Sequence, residues 1–100
     1  MRRLSRDHTA RVVGRAHALA DETRVRILDL LARTELPVGR IAALLHIEPS
    51  SASKHLQVLF REGLVVRRRD ASTVIYSIAD RHLHEWCWYL ASANLRTRSV

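Results

Sequence analysis

One short stretch of the chain carries side chains that can donate hydrogen bonds or positive charge. Polar residues recur there at the spacing of one helix face: Ser50, Ser53, Lys54, Gln57 and Arg61. Lysine can donate to guanine O6 and N7, and a glutamine amide can pair with adenine N6 and N7. Serines near a helix N-terminus, Ser51 included, suit contact with phosphate together with the backbone N–H groups there. This face therefore has the chemistry of a nucleic-acid-binding surface. His55, in the same stretch, is either a phosphate contact or a packed, hydrogen-bonded histidine.

The elements that position this face are two short helices joined by a tight connection. The first helix is predicted from an apolar stripe at helical spacing: Val38, Ile41, Ala42 and Leu45. The second has its own stripe: Ala52, Leu56, Leu59 and Phe60. Pro49 suits its first position and Gly63 its end, so helix 49–62 follows a link of three residues, His46–Glu48. This pattern is typical of a helix-turn-helix, in which the second helix enters the major groove.

After this helix, residues 64–78 change from helical to alternating periodicity. Three consecutive arginines precede Thr73–Ile78, where β-branched and aromatic residues predominate, which predicts a two-stranded wing. The connection contains no glycine, so a loop longer than two residues is expected. Because side chains alternate along a strand, Arg68 cannot share a face with both Arg67 and Arg69. These arginines are expected to grip the DNA backbone or the adjacent minor groove, although not all three need touch DNA.

Charge is concentrated in the same part of the chain. The formal net charge is +7 over 100 residues, and the calculated pI is about 11.2. Residues 50–69 hold five basic residues and one acidic residue, a net +4. A basic cluster beside a groove-reading helix is typical of DNA binding. A winged helix used only for protein interaction, the alternative, would be expected to have a neutral face.

The length and composition indicate a single domain, 1–100, without a membrane partner. A single cysteine, Cys87, allows no intrachain disulfide, so a reducing compartment is expected. The positively charged N-terminus has no apolar run behind it, so no signal peptide is predicted. The longest uncharged stretch, Trp86–Leu95, is too short to span a bilayer. We therefore expect a cytoplasmic protein.

Helices are also predicted on either side of the motif. Asp21 is a good N-cap for a helix so apolar that it should lie at the centre of the core. A last helix is expected from about Asp80 to Leu95. Apolar residues on the first and last helices suggest a dimer interface: Val12, Val13, Leu83, Trp86 and Leu90. The alternative is that the aromatic residues of the last helix cap the monomer core.

Three segments together resemble ArsR-type (arsenic-repressor-like) winged helix-turn-helix transcriptional regulators: ALADETRVRILDLL, PVGRIAALLHIEPSSASKHLQVLFREGLV and RRRDASTVIYSI. The resemblance covers about Ala18 to His82. It implies a mainly α fold with a β-hairpin, with about five helices and a two-stranded wing. It also implies a homodimeric bacterial repressor, nucleoid-associated, that pairs through its first and last helices on a pseudo-palindromic operator. Many members of the family release DNA when a metal or another inducer binds.

The sequence departs from the family's metal sites. Pro37–Gly39 stand where the arsenic and cadmium sensors have cysteines. Asp80 and His82 match the first half of the zinc- and nickel-type site on the last helix, but Ala93 and Arg96, near the second half, cannot ligate. His46 also replaces the usual glycine of the turn.

The trigger is therefore open. Candidate ligands for zinc or nickel are Asp80, His82, His84 and Glu85, and the alternative is that these side chains are simply exposed. No other cofactor is expected. An enzyme is the third class of function considered: His84 and Cys87 share a helix face, but no third orienting group is evident, so no catalytic residue is assigned.

Overall fold

The computed structural model describes residues 1–93, which form five helices and three strands. In chain order these are α1 (Arg6–Leu19), α2 (Glu22–Leu31), β1 (Leu36–Pro37), α3 (Val38–Leu45), α4 (Pro49–Arg61), β2 (Val65–Asp70), β3 (Thr73–Ile78) and α5 (His82–Ser92). The predicted winged helix-turn-helix is confirmed. The last helix begins two residues later than predicted and ends at Ser92; its predicted end, Leu95, lies outside the described residues.

Helix α2 lies at the centre of the core, as its all-round apolar sequence predicts. Asp21 is its N-cap, and the Asp21 carboxylate accepts a hydrogen bond from the Arg24 backbone N–H at 3.0 Å. Ile27, Leu28 and Leu31 are buried. They pack with buried residues of the neighbouring elements: Ala18, Ile41, Leu56, Leu59, Leu64, Val65 and Tyr76. Since α2 contacts α1, α3, α4, β3 and α5, it sets the positions of both helices of the motif.

The wing belongs to a three-stranded antiparallel sheet in the order β1-β3-β2, whereas two strands were predicted. The additional strand, β1, has only two residues, Leu36 and Pro37, paired with Tyr76 and Ile75. Its shortness explains why no alternating pattern revealed it. A proline is tolerated there because β1 is an edge strand with one unpaired side.

The connection between β2 and β3 is shorter than expected. Asp70 pairs with Thr73, so the loop consists of Ala71 and Ser72 alone. Ala71 adopts a positive φ of 56°. The expectation of a longer loop was wrong because it assumed that a two-residue turn needs glycine for this conformation, which an alanine can adopt at a modest cost in strain.

The turn of the helix-turn-helix also uses a left-handed residue that is not glycine. His46, directly after α3, has φ 57° and ψ 45°. The Ile47 N–H donates to the carbonyl of Ala42 at 3.0 Å, which satisfies one of the last carbonyls of α3. The three-residue link is thus formed as predicted. Among the described residues, no helix combines the length and apolar character needed to cross a membrane.

Candidate nucleic-acid interface

Helix α4 has a buried inner face and a polar outer face. Ala52, Leu56 and Leu59 are buried against the core. The outer side chains are exposed: Ser50, Lys54, Gln57 and Arg61. Ser51 and Ser53 are half-buried at the start of the helix. The predicted polar face is therefore accessible along the whole of α4, with Pro49 at its first turn leaving no N–H unpaired at that position.

His55 lies on the side of α4 that is turned toward α2. Its Nδ1 atom is 3.3 Å from Nη1 of Arg24 and 4.0 Å from the Asp21 carboxylate. The hydrogen bond from the Arg24 backbone, followed by the nearby charges of His55 and Arg24, lowers the pKa of Asp21. Of the two roles considered for His55, this position favours the packed, hydrogen-bonded histidine.

Arg24 is a positioning residue that the sequence did not indicate. Its side chain is only 12% exposed. The guanidinium donates to the backbone carbonyls of Ala18 at 2.6 Å and His17 at 3.2 Å, at the end of α1. Together with its contact to His55, it ties α1, α2 and α4 together. A basic residue three positions after an N-cap aspartate was the available signal.

A second contact joins α1 to the end of α4. The Arg15 side chain donates through Nε to the carbonyl of Glu62, the C-cap of α4, at 3.1 Å. Because the last carbonyls of a helix have no partner within the helix, this bond stabilises the end of the candidate recognition helix.

The wing arginines separate onto opposite faces of β2, as their alternation predicts. Arg67 and Arg69 lie opposite Tyr76 and Val74, while Arg68 lies opposite Ile75. Arg68 pairs with Glu35 and lies 4.0 Å from the Asp70 carboxylate. The hydrogen bond to Glu35 raises the pKa of Arg68. Arg68 therefore attaches the wing to the segment before β1 in this structure, while Arg67 and Arg69 extend from the other face.

Phe60 does not lie in the core, contrary to its assignment to the apolar stripe of α4. It is 39% exposed, and the guanidinium carbon of Arg67 lies 3.9 Å from the centroid of its ring. The apolar period of α4 was correctly recognised, but Phe60 falls at the edge of the stripe, where β2 leaves room for an arginine to cover it.

The predicted interface residues on α1 and α5 are largely exposed in the single chain. Exposed fractions are 55% for Val12, 67% for Val13, 60% for Trp86 and 50% for Leu90. Leu83 differs, since it packs partly buried against the core. Within His82–Ser92 no residue is buried. Trp86 therefore does not cap the core of its own chain, and this surface is suited to association.

The candidate metal ligands lie in different places. His82 donates to the Asp80 carboxylate from its backbone N–H and from Nδ1, each at 2.9 Å. His84 instead donates from Nε2 to Asp29 of α2 at 2.8 Å. Glu85 is exposed. Within residues 1–93, no group of three His, Cys, Asp or Glu side chains is placed to hold a metal ion, whereas zinc and nickel sites use three or four ligands. Arg96 lies outside the described residues.

Cys87 lines an open cavity of about 250 Å³ between α2 and α5, together with Asp29, His84 and Trp88. Partial burial, with a smaller contribution from the Asp29 charge, raises the pKa of the Cys87 thiol. A thiol with a raised pKa is a poor nucleophile. His84 is committed to Asp29, so this geometry offers no support for nucleophilic catalysis.

Comparison with known proteins identifies the family. The model described as "Bacterial regulatory protein, arsR family" matches residues 21–66. The transcriptional activator HlyU of Vibrio cholerae is 39% identical over 72 residues, which cover 72% of this chain and 67% of HlyU. The chain belongs to the ArsR family of bacterial regulatory proteins. This ArsR-family chain is a winged helix-turn-helix transcriptional regulator and not an enzyme.

Two further similarities extend the comparison. The transcriptional repressor SmtB homolog of Synechocystis is 42% identical over 66 residues, covering 66% of this chain but 50% of that protein. The chain thus spans about half the length of this relative. Among solved structures, the homodimeric winged helix-turn-helix DNA-binding domain from Mycobacterium bovis superimposes with a TM-score of 0.80 at 31% identity, over 100% of both chains.

Proposed function

We propose that the protein is a homodimeric repressor that binds a pseudo-palindromic DNA operator through α4 and the wing. The observation that carries this proposal is the continuous exposed surface formed by the outer face of α4 and the adjacent Arg67. A recognition helix held by buried contacts on one side, with exposed polar and cationic side chains on the other, suits insertion into the major groove.

The DNA-contacting side chains divide by reach and position. Lys54 and Gln57 are exposed, long and near the middle of α4, so we assign to them the reading of base edges. Ser50, Ser51 and Ser53 at the start of α4 are assigned to backbone phosphates, because helix N-termini attract anions. Arg61, Arg67 and Arg69 supply sequence-independent attraction to phosphate. His55 and Arg68 are assigned to structural contacts instead.

Dimerisation is assigned to α1 and α5. Trp86 and Tyr89 are both about 60% exposed, and their rings meet edge to face with centroids 6.0 Å apart. Exposed aromatic residues of this kind are enriched at protein interfaces. The M. bovis structure, a homodimer of the same fold, supports this assignment.

Repression is proposed in preference to activation. The relatives include the activator HlyU and the repressor SmtB homolog, so similarity to them does not distinguish activation from repression. A protein that covers an operator blocks polymerase without needing any further contact, which makes repression the simpler consequence of the surface described above. A promoter reporter with and without the protein distinguishes the two directions.

The test is selection of binding sites from a random DNA duplex library, followed by affinity measurements against salt. We expect two half-sites roughly 10 base pairs apart, centre to centre, since two recognition helices related by a two-fold axis meet successive major grooves. The double variant Lys54→Ala/Gln57→Ala should lose sequence preference. Arg67→Ala/Arg69→Ala should weaken binding to all sequences and flatten the salt dependence.

Arg81→Ala is the matched control, because it removes one positive charge between β3 and α5, away from α4. It should leave the selected sequence unchanged. If the Lys54→Ala/Gln57→Ala variant selected the same operator with the same discrimination as the wild type, base reading would have to be assigned to another element.

A further inference from the structure

The contact between Phe60 and Arg67 has a geometry that α4 and the wing produce only together. Phe60 comes from the last turn of α4, and Arg67 from the third position of β2. The guanidinium carbon lies 3.9 Å from the ring centroid, well within the distance at which a cation over an aromatic face is attracted.

The register of the sheet explains why Arg67, and not Arg68, reaches this ring. Arg67 pairs with Tyr76, which is 8% exposed and faces the core. Directly opposed residues of an antiparallel pair share a face, so Arg67 leaves the sheet on the side packed against α4. Arg68 leaves on the other side, where Glu35 binds it.

Stacking fixes the direction of the guanidinium without occupying its donors. The guanidinium carbon of Arg67 lies over the ring of Phe60, while the N–H donors of an arginine lie in the plane of its guanidinium and point outward from its edge. A lysine in the same place would present a round ammonium and would be oriented much less by the ring. The contact therefore prepares Arg67 for a planar, two-point interaction with an oxyanion.

Arg67 lines a cleft between α4 and β2 together with side chains of α4. This cleft, of about 310 Å³, is lined by Gln57, Phe60, Arg61 and Arg67. Three of these four side chains are hydrogen-bond donors, two of them cationic, and none of the described lining residues is acidic. Donors converging on a small open cleft beside a recognition helix suit a single tetrahedral anion.

We propose that this cleft holds one backbone phosphate of the bound DNA, and that Phe60 is a positioning residue that aims Arg67 at it. The inference rests on the proposed function, since it names a contact within that complex. The phosphate is held from the helix by Arg61 and from the wing by Arg67. Docking of α4 in the major groove and placement of the wing therefore become one event.

The first experiment compares charge-conserving substitutions at two wing positions. Arg67→Lys keeps the charge but loses the stack, so operator affinity should fall about threefold to fivefold with an unchanged salt slope. Arg69→Lys is the matched control on the same face of β2. It keeps the charge of an exposed contact, so it should change affinity less than twofold. Equal effects of the two substitutions would overturn the proposal.

The second experiment tests the ring itself. Phe60→Tyr keeps the aromatic face and should bind DNA like the wild type, whereas Phe60→Leu keeps an apolar side chain and should bind about as weakly as Arg67→Lys. The two losses should not multiply in Phe60→Leu/Arg67→Lys, because both remove the same contact. Thermal unfolding of each variant checks that the fold is retained. Multiplicative losses would show that Phe60 and Arg67 act separately.

The third experiment locates the phosphate. Single backbone phosphates of the selected operator are replaced in turn by neutral methylphosphonates. Replacement at one position per half-site should weaken the wild type, and it should weaken Arg67→Ala clearly less, because only the Arg61 contact is then left to lose. If every replacement weakens Arg67→Ala as much as the wild type, the cleft holds no phosphate. Should the wild-type protein bind no DNA at all, it is the proposed function that fails, and the two failures are therefore distinguishable.

Discussion

Two exposed surfaces of this molecule differ in almost every physical property. The surface of α4 and the wing is polar and basic, with a fully buried layer beneath it: Ala52, Leu56 and Leu59. The second surface holds the exposed apolar residues Val12 and Val13 of α1 and the exposed aromatic residues of α5, and no residue within His82–Ser92 is buried. Both are accessible in the single chain, yet only the first consists of side chains that are favourably hydrated.

The difference shows how each helix is stabilised. α4 is amphipathic in the ordinary sense, so the fold of one chain satisfies its apolar face and leaves the polar face for a charged ligand. α5 presents apolar side chains outward: Trp86, Trp88, Tyr89 and Leu90 are each at least 50% exposed. We propose that a second copy of the chain covers this helix, in which case affinity for paired half-sites would depend on that association.

The largest expected effect comes from breaking the apolar surface. Leu90→Ala, or Trp86→Ala, should produce monomers and weaken binding to a two-half-site operator by about 100-fold, because the second half-site no longer binds intramolecularly. Sedimentation measures the oligomeric state, and fluorescence anisotropy measures the affinity. Both are needed, since the argument links the two.

Leu44→Ala provides a matched control. Leu44 lies on α3 and is 45% exposed, against 50% for Leu90, so an equal side-chain truncation is made outside the α1 and α5 surface. We expect Leu44→Ala to remain dimeric. If the Leu90→Ala variant and the Trp86→Ala variant both stayed dimeric, the interface would have to lie elsewhere, and the contrast between the two surfaces would be wrong.

The sequence predicted the polar surface better than it predicted the contacts that hold α4 and the wing in place. The helical period of residues 50–61 and the alternation of Arg67–Arg69 are local patterns, and the faces they predict are the faces observed. Phe60 was misplaced because a period cannot show whether the edge of a stripe meets the core or a neighbouring strand. β1 and the pairing of Arg68 with Glu35 were missed because they join segments more than thirty positions apart, which no local spacing encodes.

Arg24 was missed although its place three residues after the N-cap Asp21 was a local signal, and it provides the second prediction. Arg24→Ala should lower the free energy of unfolding by about 2 kcal/mol, because a nearly buried side chain loses its bonds to the backbone carbonyls of Ala18 and His17 in α1. Arg26 is the matched control on the same helix: it is 63% exposed and pairs with Glu22 at 2.6 Å.

For Arg26→Ala we expect a change within about 0.5 kcal/mol, the usual value of an exposed ion pair. Chemical denaturation of both variants gives the comparison. Equal losses would show that Arg24 does not hold α1 and α2 against the recognition helix. A selective loss would show that the basic surface depends on structural bonds behind it.

The third prediction sharpens the description of the basic surface. Arg69→Ala should weaken operator binding several-fold and reduce the slope of log affinity against log salt by about 1, as expected for one lost phosphate contact. Arg68→Ala removes the same charge from the adjacent position of β2, but its guanidinium is already paired with Glu35 and Asp70. Its salt slope should stay close to that of the wild type. Equal slope changes would mean that Arg68 leaves Glu35 for DNA.

The smallest expected effect lies at the edge of the apolar surface, where His82, Glu85, Trp86 and Tyr89 border a shared cavity. The hydrogen bond to Asp80, followed by the charges of Asp80 and then Glu85, raises the pKa of His82, while the His82 backbone and side-chain donors lower the pKa of Asp80. A raised histidine pKa means that the pair stabilises the fold below the histidine's unfolded pKa. That contribution is lost as the pH rises through the folded pKa.

Asp80→Asn should therefore lower the pKa of His82 in an NMR titration, and Glu85→Gln should lower it by less, because its contribution is the smallest of the three that raise it. Since both partners are exposed, neither variant should change the dimer measurably at pH 8. A larger shift from Glu85→Gln than from Asp80→Asn would mean that the charge of α5, and not the hydrogen bond before it, governs this histidine.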